Sequence, residues 1–219
     1  MKFSTVFCED CVVDMFKKII LFGGSFDPIH TGHVQVARYA IQSLRAGKLF
    51  FVPARRSPHK TDSPAAGHHR LAMIRKAIEG VDRFSVSDCE LIRPEPSYTL
   101  DTINFFREQF GNEVALYWLV GADQLSDFDR WHRVEELLRV CHVSVMFRAG
   151  YPPPDFSRFE GVFSEEMIER LSRDIIQTPL IDLNSTAIRC QLAAGTLPPG
   201  VLPSGVLQYI QQHHLYGCD

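Results

Sequence analysis

Two histidines three residues apart, His30 and His33, carry the first chemical signal in this sequence. They lie in the stretch LFGGSFDPIHTGHV, which spans Leu21–Val34. Between them, Gly32 removes a Cβ where a phosphate or an adenine would press. Two imidazoles can donate N–H groups to one anion whose charge rises in a transition state. The pattern therefore predicts phosphate chemistry, and a metal site is the weaker alternative because no third ligand is obvious.

Such a pair of histidines needs a strand before it and a helix after it. The apolar run Lys18–Phe22 predicts a first strand, and Gly32–Ala46 has a helical pattern, so Gly23–Gly32 is the first βα turn. Ligands of open parallel sheets bind near this turn, and the N–H groups of a helix N-terminus attract phosphate. Neither the G-x-G-x-x-G nor the G-x-x-x-x-G-K-[ST] motif is present. A purely structural role, in which each histidine only hydrogen-bonds its turn, is the alternative.

Apolar β-rich runs alternate with helical patterns along the rest of the chain. The predicted strands are Lys18–Phe22, Leu49–Val52, Phe84–Ser87, Val114–Val120, His142–Phe147 and Pro179–Asp182. The predicted helices are Gly32–Ala46, His68–Glu79, Tyr98–Phe110, Arg130–Val140, Ser185–Ala194 and Pro203–His213. The plausible N-caps are Thr31, Ser97, Asp123 and Asn184. Alternation of this kind predicts an α/β fold with a doubly wound parallel sheet.

Length and composition set limits on the function. With 219 residues, 45% of them hydrophobic, the chain can form one α/β domain with a substantial core. Its net charge of −3 does not favour bulk binding to nucleic acid or to an anionic membrane. No apolar run approaches the length of a transmembrane helix. Six dispersed cysteines favour reduced thiols and a cytoplasmic protein, with a functional role for Cys8 and Cys11 only a minor alternative.

The histidine stretch and four further segments resemble a known family. GGSFDPIHTGH resembles the signature of the H-x-G-H nucleotidyltransferases. SPHK at Ser57–Lys60, PSYTLDT at Pro96–Thr102, GADQLSDFDRWHR at Gly121–Arg133 and NSTAIR at Asn184–Arg189 follow in the order found in nicotinate-nucleotide adenylyltransferases. The resemblance covers about Lys18 to Tyr216 and implies a Rossmann-like sheet with a small C-terminal helical part.

The chain departs from this family pattern in a few places. SPHK stands where the family usually has Pro-Pro-His-Lys, and Ala149 stands where it often has proline. Family members commonly begin near Met15, so the residues before it are either an extension or the result of a misassigned start. We therefore expect residues 1–16 to be an extension of unknown role and residues 17–219 to be one nucleotidyltransferase domain, with a helical subregion at residues 184–219.

The implied reaction is the transfer of the adenylyl group of ATP to nicotinate mononucleotide, which gives deamido-NAD and pyrophosphate in NAD biosynthesis. The nucleophile is a phosphate monoester with a second pKa near 6, so it is largely dianionic at pH 7 and needs no general base. Catalysis would then consist of positioning and charge stabilisation at the α-phosphorus. The triphosphate implies Mg²⁺, held chiefly by phosphate oxygens and water, with no protein ligand assigned.

The resemblance also assigns roles to individual residues. The implied catalytic residues are His30, His33, Lys60 and Arg189. The implied ATP-binding residues are Gly23, Gly24, Ser25, Phe26, His30, His33, Arg148, Ser185, Thr186 and Arg189. The residues implied to bind nicotinate mononucleotide are His59, Lys60, Ser97, Tyr98, Thr99, Asp123, Trp131 and His132. Ser185 and Arg189 are four residues apart, which places them on one helix face.

Selectivity for the acid over the amide is a further expectation. Trp131 offers a flat face for a pyridine ring, and the predicted helix starts at Ser97–Thr99 and at Trp131–His132 would present unpaired N–H groups to a carboxylate. Adenylyl transfer to pantetheine phosphate and a nucleotide-binding regulator without catalysis are the alternatives. The sequence does not indicate an oligomeric state.

Overall fold

Six parallel strands form one sheet in this computed structural model, which describes residues 17–55, 65–148, 152–179, 181 and 183–217. The strands are β1 (Lys18–Gly24), β2 (Lys48–Pro53), β3 (Phe84–Val86), β4 (Ala115–Gly121), β5 (His142–Arg148) and β6 (Ile175–Thr178). Their order across the sheet is β3-β2-β1-β4-β5-β6, and all neighbouring strands run parallel. The predicted doubly wound parallel sheet is confirmed.

Helices follow most of the strands. They are α1 (Thr31–Leu44), α2 (Gly67–Ala77), α3 (Cys89–Ile92), α4 (Thr99–Phe110), α5 (Val134–Val140), α6 (Glu165–Arg173), α7 (Ser185–Ala193) and α8 (Ser204–Gln212). Short 3₁₀ segments lie at Ala122–Arg130, Ser157–Phe159 and Leu215–Gly217.

Both faces of the sheet are covered, because successive strand side chains point to opposite sides. In β1, Ile19 and Leu21 pack into one buried cluster, whereas Ile20 and Phe22 pack into the other. A strand buried on both faces has no polar side to alternate with its apolar one. This explains why the central strands read as continuous apolar runs in the sequence.

The last strand and three helices differ from the prediction. Pro179–Asp182, of which residues 180 and 182 lie outside the described residues, was the predicted sixth strand, but β6 ends at Thr178. The helix predicted from Arg130 begins only at Val134, after a 3₁₀ segment, and neither α3 nor α6 was predicted.

One of the four predicted N-caps is confirmed. The Asn184 side chain accepts a hydrogen bond from the Ala187 N–H at 2.8 Å. The others were wrong by one or two residues, since the caps are His30, Tyr98 and Gly121.

Thr31 has a different structural role from the one predicted. It is the first residue of α1, and its N–H and its hydroxyl both donate to the Val201 carbonyl, each at 3.0 Å. It therefore ties the start of α1 to the segment before α8.

Candidate active site

The site is built where the strand order reverses. The chain passes from β1 to β2 on one side, whereas β4 pairs with β1 on the other side. The carboxyl ends of β1 and β4 therefore lie side by side, with a crevice between the loops that follow them. The loop after β1 carries the histidine stretch, and the 3₁₀ segment after β4 leads to Trp131.

Two glycines that flank the first loop, which joins β1 to α1, are required by close packing. A Cβ on Gly24 would lie 3.0 Å from the ring of Phe26, which is buried and has a left-handed backbone with φ of 48°. A Cβ on Gly32 would lie 2.7 Å from Cγ2 of Ile181 and 3.0 Å from Nδ1 of His30. Gly32 thus lets the helix start lie directly against the His30 ring, a contact that the sequence did not indicate.

His30 and His33 form a stacked pair at the start of α1. Their ring centroids are 3.7 Å apart and their planes are inclined by 26°. Only 4% of His30 is exposed, and this burial lowers the pKa of His30 to about 4. The His30 imidazole is therefore neutral at pH 7, and its Nδ1 has no hydrogen-bond partner within the described part of the chain.

The tautomer of His33 follows from its contact with the backbone. The His30 N–H donates to Nδ1 of His33 at 3.3 Å. Nδ1 is therefore an acceptor, so a neutral His33 carries its proton on Nε2. This arrangement leaves Nε2–H as the donor of this ring.

Ser185 and Arg189 lie on one face of α7, as their spacing predicted, and both contact the first loop. The Ser185 hydroxyl donates to the Pro28 carbonyl at 3.1 Å, and Nη1 of Arg189 donates to the Asp27 carbonyl at 2.8 Å. The hydroxyl proton of Ser185 is directed at Pro28 in this arrangement, and the expected ATP-binding role of Ser185 stays a prediction. Thr186 is exposed in the first turn of α7.

The residues expected to bind nicotinate lie after β4 and at the start of α4. Tyr98 and His132 stack with ring centroids 4.0 Å apart and planes inclined by 19°. Trp131 is half-buried, with its ring centroid 5.1 Å from that of Phe128. Asp123 is exposed in the first turn of the 3₁₀ segment.

One part of the predicted carboxylate site was wrong. The Trp131 N–H donates to the Phe128 carbonyl at 3.1 Å, because Trp131 ends a 3₁₀ segment instead of starting a helix. At the other helix start, Thr99 is the first residue of α4, and the buried Ser97 hydroxyl has no hydrogen-bond partner among the described residues. The Ser97 hydroxyl is thus better placed than the Trp131 N–H to donate to the expected carboxylate.

Several residues of this region were missed by the sequence analysis. Arg93 donates to the Tyr98 carbonyl at 3.4 Å and to the Thr102 hydroxyl at 2.9 Å. That hydroxyl donates in turn to Glu90, which is buried, at 2.7 Å. Asp27 was read only as part of a turn. Contacts of this kind join residues with no periodic spacing, so the sequence carries no local signal for them.

Some predicted site residues lie outside the described part of the chain. His59, Lys60 and the extension at residues 1–16 with its Cys8 and Cys11 belong to this group. Arg148 is the last residue of β5, at the same sheet edge as the first loop. The roles expected of these residues stay predictions.

The described residues contain no group of three or more His, Cys, Asp or Glu side chains that could hold a metal ion. The same part of the chain contains no helix long and apolar enough to cross a membrane. Neither finding bears on ions held by a bound nucleotide, so Mg²⁺ stays a prediction.

The parallel sheet and the first loop with its two histidines define a class of protein that a family model also recognises. A model described as Cytidylyltransferase-like matches residues 21–191. The chain therefore belongs to the cytidylyltransferase-like proteins.

Curated relatives narrow this class. A protein of Rhodopirellula baltica is 38% identical over 197 residues, which cover 90% of this chain and 92% of that protein. A protein of Pseudomonas aeruginosa is 36% identical over 211 residues, which cover 92% of this chain and 98% of that protein. Both are named "Probable nicotinate-nucleotide adenylyltransferase". Within the class, the chain is a member of the nicotinate-nucleotide adenylyltransferase family.

Solved structures agree on the fold. Plasmodium falciparum nicotinic acid mononucleotide adenylyltransferase complexed with NaAD superposes with a TM-score of 0.68 at 20% identity, covering 92% of this chain and 98% of that chain. The same enzyme complexed with APC gives a TM-score of 0.64 at 19% identity. At these identities the likeness supports the fold alone.

Proposed function

We propose that this chain transfers the adenylyl group of ATP to nicotinate mononucleotide, with deamido-NAD and pyrophosphate as products, in NAD biosynthesis. Family membership supports the reaction. The observation that supports placing the reaction at this site is the stacked pair of His30 and His33 at the first βα turn. Arg189 donates a hydrogen bond to the same loop.

The chemistry requires donors and cations and no general base. A phosphate oxygen of the mononucleotide forms a bond to the α-phosphorus of ATP, and the bond to the bridging oxygen breaks as pyrophosphate leaves with the electron pair. Because the attacking phosphate has a second pKa near 6, it is already an anion at pH 7. The protein's contribution is then to align the two phosphates and to stabilise the charge that develops.

A neutral His30 suits this task. Its burial excludes water, so a neutral N–H donor loses little to competing solvent contacts and is strengthened by the low dielectric. We place the Nε2–H of His33 beside it as a second donor at the start of α1, where the helix N-terminus also favours an anion. Arg189 is proposed to neutralise the leaving pyrophosphate, and the N–H groups of Ser185 and Thr186 at the start of α7 to bind it.

The acceptor would bind on the β4 side of the crevice. Trp131 offers a half-buried flat ring to the pyridine. Tyr98 and His132, whose rings stack on each other, are proposed as further contacts of the mononucleotide. Ser97 and Thr99 would donate to the carboxylate, and Asp123 would accept from a ribose hydroxyl. His59 and Lys60 are proposed to bind the mononucleotide phosphate, and Arg148 the nucleotide.

Mg²⁺ is part of the proposal as an ion held by ATP phosphate oxygens and water. The donor set fits this arrangement, because the Asp27 carboxylate of the first loop is already engaged by Tyr216 and by the Ala65 N–H. When bound, the ion would neutralise phosphate charge. A cytoplasmic location is proposed from the dispersed cysteines.

Pyrophosphate release tests the proposed function. The purified chain is assayed with ATP, Mg²⁺ and one of three acceptors: nicotinate mononucleotide, nicotinamide mononucleotide or pantetheine phosphate. We expect kcat/KM for the acid to exceed that for the amide by about 10²-fold, since a mismatched buried donor costs about 1–3 kcal/mol. Preference for pantetheine phosphate, or no release with any acceptor, would overturn the proposal.

A further inference from the structure

The Asp27 carboxylate lies at a junction of distant segments. Asp27 is only 4% exposed, and its Oδ1 accepts from the Ala65 N–H at 3.1 Å and from the Tyr216 hydroxyl at 2.5 Å. Its Oδ2 is 3.8 Å from Nη1 of Arg189, which also donates to the Asp27 backbone carbonyl. Tyr216 is 189 residues away in the sequence, so this carboxylate joins the first loop to the C-terminal part of the chain.

A second buried side chain holds the same segments together. Arg70 is 2% exposed and donates to the Ala65 carbonyl at 2.9 Å and to the Ser25 carbonyl at 2.8 Å. It also donates to the Arg55 carbonyl at 3.4 Å. The loop after β1 is therefore held by two contacts: Arg70 donates to its Ser25 carbonyl, and Tyr216 donates to its Asp27 carboxylate.

Tyr216 is presented by an unusual backbone. Its φ is 62°, and that of His214 is 49°, so two non-glycine residues in this short turn are left-handed. Each such residue costs about 1 kcal/mol or more, and the turn persists because its surroundings hold it. The hydrogen bond from the Tyr216 hydroxyl to Asp27 is a polar contact that can offset this cost.

Tyr216 acts as a donor in this contact. Burial, together with the hydrogen bond to the Asp27 carboxylate, raises the pKa of the Tyr216 hydroxyl above its usual range. The hydroxyl is therefore protonated at neutral pH and donates to the Asp27 carboxylate.

From these contacts we infer that Tyr216 is a positioning residue for adenylyl transfer, which acts through Asp27 to set the first loop and Arg189 around the ATP phosphates. The inference rests on the proposed function for its kinetic readout. Tyr216 does not touch the reacting groups itself. Its loss would let the loop relax, and misplacement by a fraction of an ångström lowers kcat more than it weakens acceptor binding.

The test compares Tyr216→Phe with Tyr209→Phe. Both variants lose one tyrosine hydroxyl that has one side-chain partner, but the partner of Tyr209 is His69 of α2, at 3.0 Å, and not a residue of the first loop. We expect Tyr216→Phe to lower kcat about tenfold with KM for nicotinate mononucleotide within about twofold, and Tyr209→Phe to change neither. If the role of Tyr216 were merely structural, Tyr216→Phe would lower the melting temperature and leave kcat unchanged. That result would overturn the inference.

Two additional measurements show whether the effect passes through Asp27. In a double-mutant cycle with Asp27→Asn, the two losses in kcat should fall short of additive, because both changes break one contact. Binding of α,β-methylene ATP should weaken several-fold in Tyr216→Phe and not in Tyr209→Phe. This binding measurement needs no acceptor. If the chain were inactive with nicotinate mononucleotide, the proposed function would fail, but nucleotide binding would still test the inference. Fully additive losses, or equal nucleotide binding in both variants, would remove Tyr216 from this role.

Discussion

At the scale of single residues, the stacked histidines carry the sharpest kinetic prediction. His30→Ala and His33→Ala should each lower kcat by about 10²–10³, because one lost donor to a developing oxyanion has an effect of that order. KM should change far less, since the donors act mainly in the transition state. Steady-state kinetics of both variants provide the measurement, with His213→Ala, an exposed histidine of the C-terminal part, as the control. Unchanged kcat in both would remove the pair from catalysis.

The ring of Trp131 carries the second prediction at this scale. Trp131→Ala removes the flat face, so KM for nicotinate mononucleotide should rise about tenfold, the range expected for loss of an aromatic contact together with its buried area. KM for ATP serves as the internal control and should stay unchanged, because the ATP contacts are proposed on the β1 side. A variant with equal rises in both KM values would show a general loss of structure and no specific acceptor contact.

Single-residue predictions from the sequence worked where spacing was local. The separation of Ser185 and Arg189 by one helical turn correctly placed both on one face of α7, and the structure shows that this face contacts the first loop. The junction at Asp27 escaped prediction because its partners, Ala65 and Tyr216, are 38 and 189 residues away. A contact between distant segments depends on the whole topology and leaves no periodic trace.

At the scale of elements, strand and helix ends were harder to predict than their presence. The run PLID favoured a strand at Pro179–Asp182, yet the ladder with β5 is made by the preceding residues, Ile175–Thr178. Proline has no N–H to continue such a ladder, so Pro179 marks its end. For α6, the signal was present in the sequence: Ser164 caps the helix, and Met167 and Leu171 are buried one turn apart.

Two glycines at equivalent helix positions provide the prediction for elements. Gly32 and Gly205 are each the second residue of their helix, α1 and α8. A Cβ on Gly205 would lie 3.5 Å from Cβ of Lys76, which is an ordinary contact, whereas one on Gly32 would press on Ile181 and His30. Gly205→Ala should therefore raise the free energy of unfolding by about 0.5–1 kcal/mol, by helix propensity alone, and leave activity unchanged.

The matched variant Gly32→Ala should behave differently. The gain in helix propensity is offset by the displaced side chains, and the shift of the His30 ring should lower kcat at least about tenfold. Chemical denaturation and steady-state kinetics of both variants supply the comparison. If Gly32→Ala were as stable and as active as Gly205→Ala, close packing at the helix start would not matter for the site.

At the scale of the whole molecule, the sheet order brings the parts of the site together. β1 and β4 are neighbours although they are far apart in the chain, and α7 packs its polar residues against the loop after β1. Alternation of strands and helices predicted the parallel sheet, and the first βα turn predicted the place of the phosphate chemistry. The side-by-side placement of the two loops is a property of strand order, which the local pattern does not encode.

The stability of the whole molecule should depend on the burial of His30. Its pKa is about 4 in the folded chain, against an ordinary value of 6.5. Between these values the unfolded chain binds the proton and the folded chain does not, so the free energy of unfolding falls as the pH falls from 6.5 towards 4. From pH 7 to pH 5 the contribution of His30 to this loss is about 2 kcal/mol.

Chemical denaturation at pH 7 and pH 5 measures this loss, with His30→Asn as the comparison. Asparagine is a good N-cap, so the variant can differ in stability at both pH values, but it has no group that titrates in this range. Burial also lowers the pKa of His69, and that contribution is common to both proteins and cancels in the difference. The wild type should therefore lose about 2 kcal/mol more than His30→Asn on acidification. Equal losses would mean that His30 titrates alike in the folded and unfolded chains, and the neutral buried donor proposed for the phosphate site would have to be abandoned.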